Sequence, residues 1–234
     1  MAWLYTIGMH TVGPAVRVAL RPTVEGLENV PEVGGAVLAG NHLSVADEYI
    51  LGSVVPRHIA FWAKDDYFNG TGVKGWFFKT LMTGLGAIEV RREGGRGALT
   101  AFDAAIPALQ SGDLVGVYPE GTRSPDGRLY RGRTGIARLA LLAEVPIIPV
   151  GCIGTAEVQP IGTLVPKLGK RATIRFGKPM DFKGQSMDSS SLRAITDEVM
   201  GEIQRLTGQE YTGRYAPRKQ AAGENGASTE AADE

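Results

Sequence analysis

A chain of 234 residues, 43% hydrophobic and 21% charged, suits one sizeable domain with short accessory segments and is too apolar to remain disordered. A single cysteine, Cys152, excludes an internal disulfide and a cysteine-based zinc site, and fits a reducing compartment. Formal net charge is zero, but Gln220–Glu234 carries four acidic residues and no basic one, leaving the rest of the chain at +4. That excess is too small to argue for nucleic acid, though a focused basic patch could hold a phosphorylated ligand or rest on anionic lipid.

Residues 1–20 are apolar apart from interruptions that include His10, Pro14 and Arg17. A span needs about 20 clean apolar residues, so this segment does not read as one, and the flanks of a signal peptide are missing. Trp3, Leu4, Tyr5, Ile7, Val12, Val16 and Leu20 are available either to lie in a membrane interface or to dock on the core. Short β-branched runs predict strands at Thr23–Leu27, Ala36–Ala39, His58–Ala63, Ala87–Val90, Leu114–Tyr118, Ile147–Val150 and Ala172–Phe176. Helices are predicted between them near Val45–Val55, Val73–Thr83, Gly97–Gln110 and Thr134–Ala143. The alternation implies an α/β fold: a mixed, largely parallel central sheet flanked by helices, with an N-terminal apolar helical segment. No G-x-G-x-x-G follows a strand, so a dinucleotide site is unsupported.

Beyond the sheet, Ser189–Ser191 offers N-caps for a helix whose stripe of Leu192, Ile195, Val199, Ile203 and Leu206 ends at Gly208. The expected organisation is an N-terminal membrane-interfacial segment at 1–22, a catalytic domain at 23–212 and a disordered acidic tail at 213–234.

Chemistry concentrates at two strand ends. Ala36–Asp47 reads as a buried strand, a Gly-Asn-His turn and a helix start, which puts His42 where open α/β sheets form ligand crevices. If His42 precedes the helix and Asp47 lies in its first turns, the carboxylate can bond one ring nitrogen and leave the other as a general base. No G-x-S-x-G elbow supports a serine nucleophile, Ser44 reads as a helix cap, and a nucleophile would then come from a substrate hydroxyl. At the second strand end, Leu114–Ser124 delivers Glu120, Gly121, Thr122 and Arg123 into a loop. Glu120 can accept a hydrogen bond from a hydroxyl, Gly121 allows backbone amides to approach an oxyanion, and Arg123 offers a fork for phosphate. Lys64 is read either as a second phosphate contact or as a solvated strand end. The run Arg128, Arg131 and Arg133 is read as an exposed face or as contacts for lipid headgroups or coenzyme phosphates.

These segments resemble the glycerolipid acyltransferase family of the lysophosphatidic acid acyltransferase type, over about Val24 to Phe176. Asn41–Asp47 is similar to its N-H-x-x-x-x-D block and Tyr118–Ser124 to its F-P-E-G-T-R-S block. Gly86–Arg92 and Val145–Val150 resemble the second and fourth blocks. Arg91 stands where members often carry an acidic residue, so either Arg91 or Arg92 faces the site. The resemblance implies transfer of a fatty acyl group from acyl-CoA or acyl carrier protein to a lysophospholipid hydroxyl, most often of 1-acylglycerol-3-phosphate. His42 and Asp47 would be catalytic, and Lys64, Arg92, Glu120, Gly121, Thr122 and Arg123 would bind substrate. No metal, cofactor or nucleic acid is implied, and peripheral residence at the cytoplasmic face of a membrane is expected. Another lysolipid or glycolipid acceptor, or a non-catalytic lipid-binding role, is the alternative.

Overall fold

The computed structural model describes residues 3–64, 66–90 and 104–217. In chain order the elements are α1 (Trp3–Leu20), β1 (Thr23–Glu25), β2 (Ala36–Gly40), α2 (Ala46–Val54), β3 (Ile59–Lys64), α3 (Asp66–Asn69), α4 (Gly72–Gly84) and β4 (Ile88–Val90). A helical stretch at 104–110 (α5) precedes β5 (Leu114–Val117), α6 (Gly135–Ala143), β6 (Ile147–Ile153), α7 (Thr155–Val158), β7 (Thr173–Phe176) and α8 (Ser189–Thr207). All seven predicted strands are present, and the sheet order is β1-β7-β6-β2-β5-β3-β4. Every neighbouring pair is parallel except β6 with β7. The predicted mixed, largely parallel sheet is therefore what the chain forms.

The two-sided burial that made these strands read as continuous apolar runs comes from helices on both faces. Val37 and Ala39 of β2 and Val115 and Val117 of β5 point into a core shared with Leu109 of α5, Ile136 and Leu139 of α6, and Ile195, Val199 and Ile203 of α8. Ala36, Leu38, Leu114, Ile148 and Val150 serve the opposite core, against Leu20 of α1, Ile50, Leu51 and Val54 of α2 and Val158 of α7. Truncating any of the fully buried leucines or isoleucines to alanine removes about 2–5 kcal/mol, so the sheet is anchored on both sides.

Helix α8 buries the whole predicted stripe and ends at Gly208 in the left-handed region, φ 71°. Its N-cap is Asp188 rather than one of the serines: the Asp188 carboxylate accepts from the Ser191 N–H at 2.8 Å. Ser186, Ser190 and Ser191 all donate their hydroxyls to it. Residues 213–217, expected in the tail, pack on the domain instead. The Arg131 N–H donates to the Arg214 carbonyl at 2.7 Å, Ala216 is buried, and the guanidinium groups of Arg131 and Arg133 lie over the Tyr215 ring. The acidic tail from 218 onward lies outside the described residues.

Helix α1 docks on the domain and still leaves apolar side chains uncovered. Its inner face docks: Gly13 lies against Ser53 of α2, Leu4 packs on Gly84 of α4, and the Tyr5 hydroxyl donates to the Arg57 carbonyl at 3.2 Å. Its outer face leaves Trp3, Ile7, Val12 and Val18 exposed.

Candidate active site

Parallel strands bring their C-terminal ends to one edge of the sheet. Strand β2 pairs with β5 through Ala39 and Val117, so the turn after Gly40 and the loop after Val117 emerge side by side. His42 and Glu120, distant in sequence, become neighbours for that reason.

The turn is built by its own side chains. Asn41 extends the ladder beyond β2: its amide oxygen accepts from the Cys152 N–H at 2.7 Å and its NH₂ donates to the Cys152 carbonyl at 2.9 Å and to Gln209 Oε1 at 2.8 Å. Ser44 caps the start of α2, accepting from the Ala46 N–H at 3.1 Å while its hydroxyl donates to the Gln159 carbonyl at 2.5 Å. Asp47, fully buried in the first turn, gathers three donors on Oδ2: the Leu43 N–H at 2.8 Å, the Ser44 N–H at 2.9 Å and His42 Nδ1 at 2.8 Å. The expected pairing of His42 with Asp47 is thus formed. An acceptor-only carboxylate places the imidazole proton on Nδ1 and leaves the Nε2 lone pair open. The Tyr118 ring lies flat on the imidazole, centroids 3.9 Å apart and planes 10° apart, and supports it from one face.

Glu120 ties the two loops together. Its carboxylate is buried, Oε1 accepting from the His42 N–H at 3.0 Å and Oε2 from the Tyr130 N–H at 2.9 Å. The Ser124 N–H donates to the His42 carbonyl at 2.7 Å and closes the second bond between the loops. Burial drives the Glu120 carboxyl up to about 7, against the lowering by its two amide donors. Gly121 also does structural work. At φ 75° its N–H closes a turn onto the Tyr118 carbonyl at 2.9 Å, and a Cβ there would stand 3.0 Å from Arg133 Nε. The amides of Thr122 and Arg123, one and two positions further on, have no hydrogen bond among the described residues. Arg123 is half-exposed, with its guanidinium in no hydrogen bond or ion pair among the described residues.

Lys64 ends β3 opposite Val90 of β4, which puts both strand ends on the edge that carries His42. The Lys64 side chain, and Arg91 and Arg92 altogether, lie outside the described residues. The alternative nucleophiles are enclosed. Ser44 and Ser124 are buried in hydrogen bonds, and Cys152 is buried with its thiol pushed well above the ordinary range by desolvation. Of the other histidines, His58 is engaged structurally, with Nε2 at 3.1 Å from the Leu85 carbonyl and Nδ1 at 3.4 Å from Asp113.

Sequence reading passed over Glu48. It follows Asp47 in the first turn of α2, and burial holds its carboxyl above the usual range, with His42 and Arg123 pulling it down and Asp47 pushing it up. The only signal was adjacency to Asp47. Gln209 was missed as well, because its contact with Asn41 crosses from the far end of α8.

The Acyltransferase family model matches residues 21–153. The chain is 32% identical over 141 residues to the chloroplastic 1-acyl-sn-glycerol-3-phosphate acyltransferase LPAT1 of Arabidopsis thaliana, a match covering 60% of this chain and 38% of that protein. With the 1-acyl-sn-glycerol-3-phosphate acyltransferase of Bacillus subtilis it shares 30% identity over 184 residues, 76% of this chain and 84% of the relative. The crystal structure of the 1-acyl-sn-glycerophosphate acyltransferase PlsC from Thermotoga maritima superposes with a TM-score of 0.64 at 28% identity, covering 85% of this chain and 78% of that one. The chain thus spans well under half the length of the plant relative and most of the two bacterial ones.

Proposed function

Because the chain belongs to the Acyltransferase family, we propose that it transfers a fatty acyl group from a thioester to the free hydroxyl of a lysophospholipid, 1-acylglycerol-3-phosphate first among the acceptors. One observation carries this reading: a histidine held on three sides, by Asp47, Tyr118 and Glu120, presents only Nε2 to the edge where Thr122 and Arg123 keep open donors. Nε2 takes the proton of the acceptor hydroxyl as its oxygen attacks the thioester carbonyl carbon. The resulting imidazolium is stabilised by the Asp47 carboxylate. The tetrahedral oxyanion is met by the open amides of Thr122 and Arg123. The carbon–sulfur bond then breaks, and the thiolate leaves with the proton that His42 returns from Nε2.

Arg123 is the phosphate fork, with Lys64 and Arg92 as its expected companions. The thioester is carried by CoA or by acyl carrier protein. The names of the relatives from Bacillus subtilis and Thermotoga maritima support the lysophosphatidate acceptor. Among the described residues no helix is long and apolar enough to cross a membrane. The proposed residence is peripheral, on the cytoplasmic face, with Trp3 and Ile7 on the outer face of α1 in the interface. The test is turnover by purified protein on a panel of lysophospholipids paired with acyl-CoA and acyl carrier protein donors. Phosphatidic acid formation supports the reading, and lipid binding without turnover of any pair overturns it.

A further inference from the structure

On the layer of helices that carries α1 and α2, the chain leaves α7 at Gln159 and makes an excursion through residues 160–171 before β7. Its base is fixed. The Lys167 N–H donates to the Val158 carbonyl at 2.7 Å, Gln159 Nε2 donates to the Thr163 carbonyl at 3.0 Å, and the Thr163 N–H turns back onto the Pro160 carbonyl at 3.0 Å. Gln159 also ties this base to the catalytic edge, its carbonyl accepting from Ser44 and its Oε1 from the Tyr49 hydroxyl at 3.0 Å.

The outer part of the loop is apolar and uncovered. Leu164 is 94% exposed, Leu168 74%, Val165 73% and Ile161 41%. A loop held in place by hydrogen bonds has no folding reason to present large aliphatic side chains to water. Residues 161–171 also contain Lys167, Lys170 and Arg171 and no acidic residue, and among the described residues the one ion pair there is Lys170 with Glu157 at 3.3 Å. Aliphatic tips among basic side chains complement an anionic bilayer surface, where acyl chain and phosphate layers lie in that order.

We propose that the 160–171 loop is a lipid-docking element that inserts Leu164, Val165 and Leu168 into an anionic leaflet, beside the His42 turn and separate from α1. This rests on the lipid acyl transfer proposed above and extends it, because a bilayer held at the base of the His42 turn delivers acceptor and acyl chain to the reacting atoms. Lys167 and Arg171 meet headgroup phosphates.

The experiment is co-sedimentation of the full chain with vesicles of equal parts phosphatidylcholine and phosphatidylglycerol. The triple substitution Leu164→Ser, Val165→Ser, Leu168→Ser should weaken partitioning at least about tenfold. Lys167→Ala and Arg171→Ala should each weaken it about fivefold, the fold-change equivalent to about 1 kcal/mol, and only on vesicles containing phosphatidylglycerol. Turnover of short-chain, monomeric substrates by the triple variant should stay at the wild-type level, which separates this proposal from the enzymatic one: absent turnover in both proteins strikes the acyl transfer reading, not the docking surface. Unchanged vesicle binding by a triple variant with a wild-type melting curve overturns the proposal. So does a change in sedimentation from dimer to monomer without loss of vesicle binding, which would make the loop a contact between copies. A rate loss confined to acyl carrier protein donors would assign it to that acidic partner and overturn the proposal too.

Discussion

Two loops leave neighbouring strand ends and behave oppositely. In the turn after β2, Asn41, His42, Ser44 and Asp47 are tied into hydrogen bonds, while His42 Nε2 and the buried Asp47 Oδ1 have no partner among the described residues. In the loop after β5, the Glu120 carboxylate and the Gly121 N–H are closed, while the amides of Thr122 and Arg123 and the Arg123 guanidinium have no partners among the described residues. A base must be preorganised to take one proton from one direction, so its loop is closely tied. An anion site must leave donors for the ligand to complete, so its loop is not.

The sharpest break of that contrast is on the closed side. His42→Ala should lower kcat by about 10²–10⁴-fold with an unchanged circular dichroism spectrum, because base catalysis is lost and the backbone N–H to Glu120 remains. Asp47→Asn should cost less, about tenfold to a hundredfold, since an amide oxygen can still accept the three donors on Oδ2 but no longer offsets imidazolium charge. A rate for His42→Ala within a few-fold of wild type would remove the histidine from the mechanism.

Glu120 gives the closed side a pH signature. Its folded carboxyl lies near 7, above the ordinary 4.5, so between those values the folded protein holds a proton that the unfolded chain has released. Stability from this group is therefore full below about 4.5 and falls as pH rises through about 7, by about 3 kcal/mol at most. Urea melts of wild type and Glu120→Gln across that window should show the wild type losing stability relative to the variant as pH rises. Parallel curves would mean that the carboxylate is not strained by burial.

The contrast explains what the sequence could and could not reveal. The inner strands β2, β5 and β6 were legible because strands covered on both faces read as short continuous apolar runs, as Ile147–Val150 does. His42 and Asp47 were legible because their contact is local, five positions apart across one helix start. The tie that Glu120 makes between the loops was not legible because its partners, the amides of His42 and Tyr130, lie 78 and 10 positions away and meet only once β2 and β5 pair. Helices α3 and α7 span four residues each, too few to carry a 3.6-residue period. Asp188 was masked by three following serines with the composition of a cap, two of which, Ser190 and Ser191, serve as its donors.

On the open side the expected effects are smaller and fall on binding. Arg123→Ala should raise the acceptor KM about tenfold to a hundredfold, the range of a lost charge-assisted hydrogen bond, with the acyl-donor KM little changed. Arg123→Lys should recover only part, because an ammonium cannot form the planar fork. Equal changes for both substrates would place Arg123 outside the acceptor site.

Tyr118 belongs to both loops, its ring stacked on His42 while its backbone carbonyl takes the Gly121 N–H. The hydroxyl is buried without a hydrogen-bond partner among the described residues, and burial pushes its pKa well above the ordinary 10, which favours the neutral phenol. Two expectations separate ring from hydroxyl. Tyr118→Phe keeps the stack and removes an unsatisfied polar atom, so turnover should stay within about twofold and stability should hold or rise by about 1 kcal/mol. Tyr118→Leu keeps apolar volume but loses the flat face against the imidazole, so kcat should fall about tenfold while KM for both substrates is retained, the mark of a base no longer held in its reactive orientation. A Tyr118→Phe enzyme as impaired as Tyr118→Leu would show that the hydroxyl, not the ring, serves His42, and would make the orphaned oxygen a working group of the site.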